Sequence, residues 1–368
     1  KSRDGAANDL GGGHAHIGMM IYQGDNWPAE YRGRLFTLNL HGRRANQEIL
    51  VRSGSGYVAK HGPDFLVADD PWFRGMDLSY GPDGGVFVLD WSDTGECHEY
   101  SGVHRTSGRI YKITYCDAQR SQIGRDAQPG VRFPGDVSKL SASELVKLHT
   151  HPNEWYSRQA RLELAARAHD KLGTAAELEK ARQELRELFE KNADLVVKLR
   201  SRWTLYVVGE LDVVFLRKEL THSNEHVRVW AIRLLTDTWP LDTVLSQRPT
   251  GRPESNPSSE VRKELVHLAK TDSSGLVRLA LASTLQRLPI SQRADLTAPL
   301  LAHKEDANDH NLPLLIWYGL IPVGDADPDS LAGLAARSEL PLTRKLIARR
   351  LSEDIEKNPS PLNGLLQA

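Results

Sequence analysis

The sequence predicts a multidomain chain in two parts, a β-rich first part and an all-α second part. Residues 1–116 hold most of the glycines and a series of short β-branched or aromatic-rich segments. Residues 139–368 instead carry apolar stripes at helical spacing. Between them, residues 117–138 are polar and aperiodic, with Gly130 and Pro134, and read as a linker.

The strand segments are Met19–Tyr22, Arg34–Leu40, Glu48–Arg52, Asp77–Tyr80, Val86–Trp91 and Arg109–Tyr115. Gly24-Asp25, His41-Gly42, Ser53-Gly54, Gly81-Pro82-Asp83-Gly84 and Ser107-Gly108 punctuate them. Short strands at regular spacing indicate a sandwich, a barrel or a propeller, and this number of strands makes roughly one and a half propeller blades.

In the second part, Val227, Ala231, Leu234 and Leu235 form one apolar helical stripe, and Val277, Leu281, Leu285 and Leu288 another. Helices are predicted at Trp155–Ala166, His226–Leu235 and Gly275–Leu285. Each follows a polar turn with a capping residue and carries an early arginine: Arg158, Arg228 and Arg278. Leu140–Leu148, Val213–Leu220 and Val261–Leu268 read as partner helices. Paired helices repeating at roughly 35 to 50 residues predict a HEAT- or armadillo-like solenoid. Pro313 and Pro341 sit where a helix start tolerates a missing N–H, and Arg248–Ser259 reads as a surface insertion. The recurring arginines are expected to pair with the turn Asp or Glu of the next repeat. Trp203, Trp230, Trp239 and Trp317 are expected to pack in the core or between repeats.

Composition excludes several functions. Among 368 residues, 47 Lys and Arg against 48 Asp and Glu leave a net charge of −1, without the basic excess of an electrostatic nucleic-acid binder. No apolar run approaches the ~18 residues of a membrane span. Two cysteines, Cys97 and Cys116, exclude a disulfide scaffold and a four-thiolate zinc site. Without a Cys-x-x-Cys-His, no c-type haem attaches to this chain. The start at Lys1-Ser2-Arg3, without Met or signal peptide, predicts an internal fragment.

Several residues are candidates for chemistry. His14 and His16, two apart on an extended strand, point to one face and make half of a metal site, which His41, His98 or His104 would complete. The segment from Asp90 to Glu99 gathers four acids and His98 just past a strand, a composition suited to Ca²⁺ or to a base. The candidate metal set is therefore His14, His16, Asp90 and His98. The competing reading is a turn whose side chains satisfy their own backbone. Arg43, Arg44, Arg74 and Arg105 are candidates to line an anionic pocket. Trp27, Trp72 and Trp91 either stack on a sugar ring or fill space between sheets.

Gly12-Gly13-His14-Ala15-His16-Ile17-Gly18-Met19-Met20-Ile21-Tyr22 leads into Trp27-Pro28-Ala29-Glu30-Tyr31-Arg32-Gly33-Arg34-Leu35-Phe36. Phe73-Arg74-Gly75-Met76-Asp77-Leu78, Gly81-Pro82-Asp83-Gly84-Gly85-Val86-Phe87-Val88-Leu89-Asp90-Trp91 and Gly108-Arg109-Ile110-Tyr111-Lys112-Ile113 follow. This series resembles the last part of a sorbosone-dehydrogenase-like six-bladed β-propeller. It is most similar to the membrane-bound dehydrogenase family of planctomycete type, in which HEAT-like repeats and often a cytochrome c-type haem domain follow the propeller. The resemblance covers residues 8–115 and, more loosely, 140–352, including Leu312-Pro313-Leu314-Leu315-Ile316-Trp317-Tyr318.

The resemblance implies a periplasmic or secreted quinoprotein-like sugar or alcohol dehydrogenase. This chain would supply its last one to two blades (1–116), the linker (117–138) and a HEAT-like solenoid (139–368). It implies pyrroloquinoline quinone, with Ca²⁺, as cofactor, its carboxylates gripped by Lys and Arg, and the haem domain as electron acceptor. The cofactor candidates are Arg74 and His41, carried over from the family's positions, and Arg43 from the candidate anionic pocket. His41 stands where the family has Lys, and Arg74-Gly75-Met76-Asp77 stands where it has Arg-x-Arg-Asp. The family's catalytic His lies in an earlier blade, so this chain alone is expected to be inactive. The alternative is a non-catalytic protein- or glycan-binding scaffold with a degenerate propeller, its helical repeats holding a protein partner.

Overall fold

A computed structural model describes residues 15–92, 106–115, 135–170, 174–242 and 258–367. Antiparallel sheets come first and helices follow. The chain divides into two compact units, Lys1–Val51 with Val58–Glu210, and Arg52–Tyr57 with Leu211–Ala368. By packing, the division falls after Glu210, whereas composition changes at 117–138, of which 117–134 lie outside the described residues.

In the first sheet, strands β1 (His16–Ile21), β2 (Leu35–Asn39), β3 (Arg44–Ser53) and β4 (Gly56–His61) neighbour one another in that order, and β5 (Leu66–Val67) pairs with β3. The second sheet orders β6 (Gly75–Tyr80), β7 (Val86–Asp90) and β8 (Arg109–Ile113). Period-two alternation decides which side is buried. Val86, Val88 and Asp90 of β7 are buried, while Phe87 and Leu89 between them are exposed. Met20, Tyr22, Phe36 and Leu38 from the first sheet join Leu78, Tyr80, Val86 and Val88 from the second in one core, completed by Trp27 and Phe73. Trp27 stacks on Tyr22 with centroids 4.5 Å apart and on Phe65 at 4.4 Å, so this tryptophan fills space.

Gly18 allows the sheets to approach. It sits at a register shift in β1 with φ +59°, and a Cβ there would lie 2.8 Å from the Asp77 Cα.

The first helices belong to the same unit. Ser141 caps α1 (Ala142–Lys147) in a capping box with Glu144, and Asn153 caps α2 (Glu154–His169). Helices α3 (Ala175–Lys191) and α4 (Leu195–Val207) follow, and α1 packs on α3 and α2 on α4. Asn153 Oδ1 accepts from Trp155 N–H, while its Nδ2 donates to Gly81 O at 3.1 Å and Pro82 O at 3.2 Å. Glu154 N–H donates to Gln23 O, and Trp155 packs on the β core. The cap of a helix is thus also a clamp on a β-turn.

The second unit begins with α5 (Val213–Glu219), α6 (Glu225–Thr236), α7 (Ser259–Thr271), α8 (Gly275–Thr284) and α9 (Arg293–Leu301). It continues with α10 (Leu312–Leu320), α11 (Val323–Ala326), α12 (Pro328–Ala336), α13 (Pro341–Glu353) and α14 (Ser360–Gln367). Helices α6, α8, α10 and α13 stack in one layer, and α7, α9, α12 and α14 in another. Both predicted apolar stripes are buried. Pro313 and Pro341 lie in the first turns of α10 and α13. Within this unit Asp309 accepts from the N–H and the hydroxyl of Ser55, both at 2.7 Å, and from the N–H groups of Asn311 and Leu312.

Acid–arginine pairs brace both helical stretches. Arg228 pairs with Asp272 and Arg278 with Asp306, each an acid preceding a later helix, as expected. Arg158 differs: it lies on the exposed side of α2 and, among the described residues, its ion pair is with Glu154 of its own helix. Arg200 takes the buried place, its Nε 2.6 Å from Glu154. Among the described residues, no helix is long and apolar enough to cross a membrane.

Candidate functional site

Antiparallel pairing carries the candidate residues to one edge of the two sheets. His16 opens β1 opposite Asn39, the end of β2, and Asn39 in turn faces Arg44, the start of β3. His41 and Arg43 lie in the intervening turn. Gly75, which follows Arg74, faces Asp90 at the end of β7, and Asp90 faces Arg109 at the start of β8. His16, His41, Arg43, Arg74 and Asp90 therefore share one edge. His14 and His98 lie outside the described residues, as do His104, Arg105, Cys97, Cys116 and most of the 248–259 insertion.

Backbone strain gathers at the same edge. Among the described residues, the non-glycine positions with positive φ are Ala15 (62°), Arg43 (51°) and Ser92 (55°). Ala15 precedes β1, Arg43 lies between β2 and β3, and Ser92 follows β7. Each such conformation costs about 1–2 kcal/mol for an L-residue, and strain of this kind clusters at ligand-binding positions.

Charge at the edge is largely satisfied from within. The Asp90 carboxylate is fully buried; Oδ1 accepts from Arg74 N–H at 2.8 Å and Ser92 N–H at 2.9 Å. Its Oδ2 meets Arg109, with Nε at 2.7 Å and Nη2 at 2.6 Å. Arg109 also bonds Asp70 at 2.7 Å. The Trp72 N–H and Arg109 hold the Asp70 carboxyl below the usual carboxylate range. Arg74 Nη1 donates to Pro71 O at 3.0 Å and Phe73 O at 2.9 Å. His16 sits 3.4 Å from both Thr37 Oγ1 and Asn39 Nδ2. Arg43 closes no ion pair among the described residues. Trp91 stands 53% exposed beside Arg74, its N–H donating to Arg74 O at 2.9 Å.

The described residues by themselves do not complete a site for a tricarboxylate quinone. Arg74 is engaged with backbone carbonyls and Arg109 with two carboxylates, so three negative charges would meet Arg43 while Asp70 and Asp90 repelled them. The Asp90 carboxylate has about four lone-pair sites, and protein donors fill them, so it has none to offer Ca²⁺. Among the described residues, no group of three or more His, Cys, Asp or Glu could hold a metal.

Asp70 and Arg109 are site residues that sequence reasoning missed. The signal was cross-strand: Arg109 opens the strand that ends beside Asp90, which only a known register reveals.

Residues 4–117 match the model of a domain of unknown function, DUF7133. No curated protein and no solved structure matches the chain.

Proposed function

We propose that the chain is a non-catalytic, glycan-binding scaffold, with a ligand face at the strand-end edge and helical repeats that brace it or hold a protein partner. In this reading the paired sheets are neighbouring blades of a degenerate β-propeller and the helices a HEAT-like solenoid. Two observations support that architecture. The sheets pack through a shared core and leave Phe87, Leu89 and Ile110 exposed on the far side of the second, where a further sheet would pack. The helices of the second unit stack alternately in two layers.

The observation that carries the functional reading is the convergence of Ala15, Arg43 and Ser92, all strained, on the edge that holds Trp91, Arg74 and His16. An exposed indole beside hydrogen-bond donors suits the apolar face and hydroxyl rim of a sugar ring. Asp90, the one acid of the Asp90–Glu99 segment among the described residues, is fully engaged with its own donors.

A second reading is a part of a quinoprotein-like sugar dehydrogenase of the planctomycete type, periplasmic or secreted, with its chemistry elsewhere. The shared edge of His16, His41, Arg43 and Arg74 favours it. Titration calorimetry separates the two. Saturable binding of an oligosaccharide, lost in Trp91→Ala, supports the scaffold. Saturable binding of pyrroloquinoline quinone, with or without Ca²⁺, that is lost in Arg74→Ala would replace it with the dehydrogenase. Silence towards both classes of ligand would overturn both readings.

A further inference from the structure

The second unit contains a cavity of 740 Å³ between α7, α9 and α12, and its lining includes Arg262, Lys263, Arg337, Asp295, Val266 and Leu296. Its volume lies within the range of small-molecule sites, about 300–1,000 Å³. Three cations face one carboxylate, an excess of positive charge in a chain whose overall charge is nearly balanced.

Elsewhere in this unit the arginines that brace the stack have acid partners: Arg217 with Glu264, Arg228 with Asp272, Arg278 with Asp306 and Arg293 with Asp242. Arg262, Lys263 and Arg337 close no ion pair among the described residues. Arg262 Nε is buried and has no hydrogen-bond partner among them. A buried donor left without an acceptor is a desolvation penalty that an arriving acceptor removes. Glu264, two residues on from Arg262 and so turned towards another face of α7, is committed to Arg217 through both of its carboxylate oxygens.

We propose that this cavity binds a small amphipathic anion, with its head group on Arg262, Arg337 and Lys263 and its apolar body along Val266 and Leu296. Arginine grips a carboxylate or sulfonate through paired donors, which sets the preference for a planar or multi-oxygen head. A half-open cleft of this size, with Arg262 part-buried in its wall and Lys263 and Arg337 at its exposed rim, rather than a broad flat surface of about 800 Å² per partner, favours a small molecule over a folded protein.

The test is calorimetric titration of the full chain with decanoate below its micellar range, beside decyltrimethylammonium, which has the same tail and the opposite charge. Decanoate should occupy one saturable site. Arg262→Gln and Arg337→Gln should each weaken it about tenfold, and Lys270→Gln, on α7 but outside the cavity lining, should leave it unchanged. Thermal unfolding that matches wild type shows that the variants are folded. Non-saturable heats, equal affinity for the cationic probe, or wild-type affinity in both arginine variants would overturn the proposal.

Discussion

Arg109 holds the buried Asp90 carboxylate in a part-buried bridge, Nε to Oδ2 at 2.7 Å, and the same carboxylate fixes the backbone on either side of the strand-end edge. Its other oxygen takes the N–H groups of Arg74 and Ser92, so one side chain positions the entry to β6 and the strained exit from β7. Replacing Asp90 by Ala removes the acceptor for two N–H groups and a guanidinium together. Leaving one partner of a fully buried ion pair costs about 3–5 kcal/mol. Arg109 is 34% exposed, which reduces that to about 2–3 kcal/mol. Urea unfolding of Asp90→Ala should show this loss; a midpoint within error of wild type would remove Asp90 from its structural role.

The Arg278–Asp306 pair is more deeply buried, with side chains 3% and 8% exposed and bonds of 2.5 and 2.6 Å. Arg278→Met should therefore cost about 3–5 kcal/mol, because Asp306 is left charged and dry. Adding Asp306→Leu should restore a large part of the loss, since an apolar pair carries no desolvation penalty. A double-mutant cycle checks this. Additive losses would show that each side chain acts through separate contacts.

Strand and helix positions were legible wherever burial imposed a period. The stripe Val227, Ala231, Leu234, Leu235 lies in α6, and all six predicted strand segments overlap observed strands. Strand β4, Gly56–His61, was not legible, because Tyr57, Val58, Ala59 and Lys60 are exposed and show no alternation. Arg158 and Arg200 show a second limit. Both lie on helices beside Glu154, and only packing decides that Arg200 faces inward. The edge cluster had the same difficulty. Asp90 was visible as a strand-end acid, but Arg109 and Asp70 joined it through register and a loop contact that spacing does not encode.

Asn153 couples helix capping to the β-turn at Gly81-Pro82. Asn153→Ala deletes the cap, worth about 1 kcal/mol, and the amide donor to two turn carbonyls, each worth a similar amount. The expected loss is about 2–3 kcal/mol. Asn153→Asp keeps the cap and removes the donor, so it should recover only the smaller share. Hydrogen exchange at Gly84 and Gly85 reports the turn directly; unchanged protection there in Asn153→Ala would show that the clamp does not hold it.

Acid should weaken the first unit before its carboxylates titrate. His149 is fully buried, with Nδ1 3.2 Å from Leu145 O and 3.0 Å from Val146 O, and Nε2 2.7 Å from Thr204 Oγ1. Two carbonyls at Nδ1 require the proton there, leaving Nε2 to accept from the threonine. Burial pushes the imidazole down from 6.5 to about 4. The unfolded chain therefore takes up this proton first as acidity rises. The contribution of His149 is complete above pH ~6.5 and is lost towards pH ~4, a span worth roughly 3 kcal/mol. His151, also lowered by burial, adds in the same direction. Urea midpoints should fall between pH 7 and pH 5 in wild type and fall less in His149→Gln, which keeps an amide donor but does not titrate. Equal slopes in the two proteins would show that the buried imidazole plays no part in the acid response.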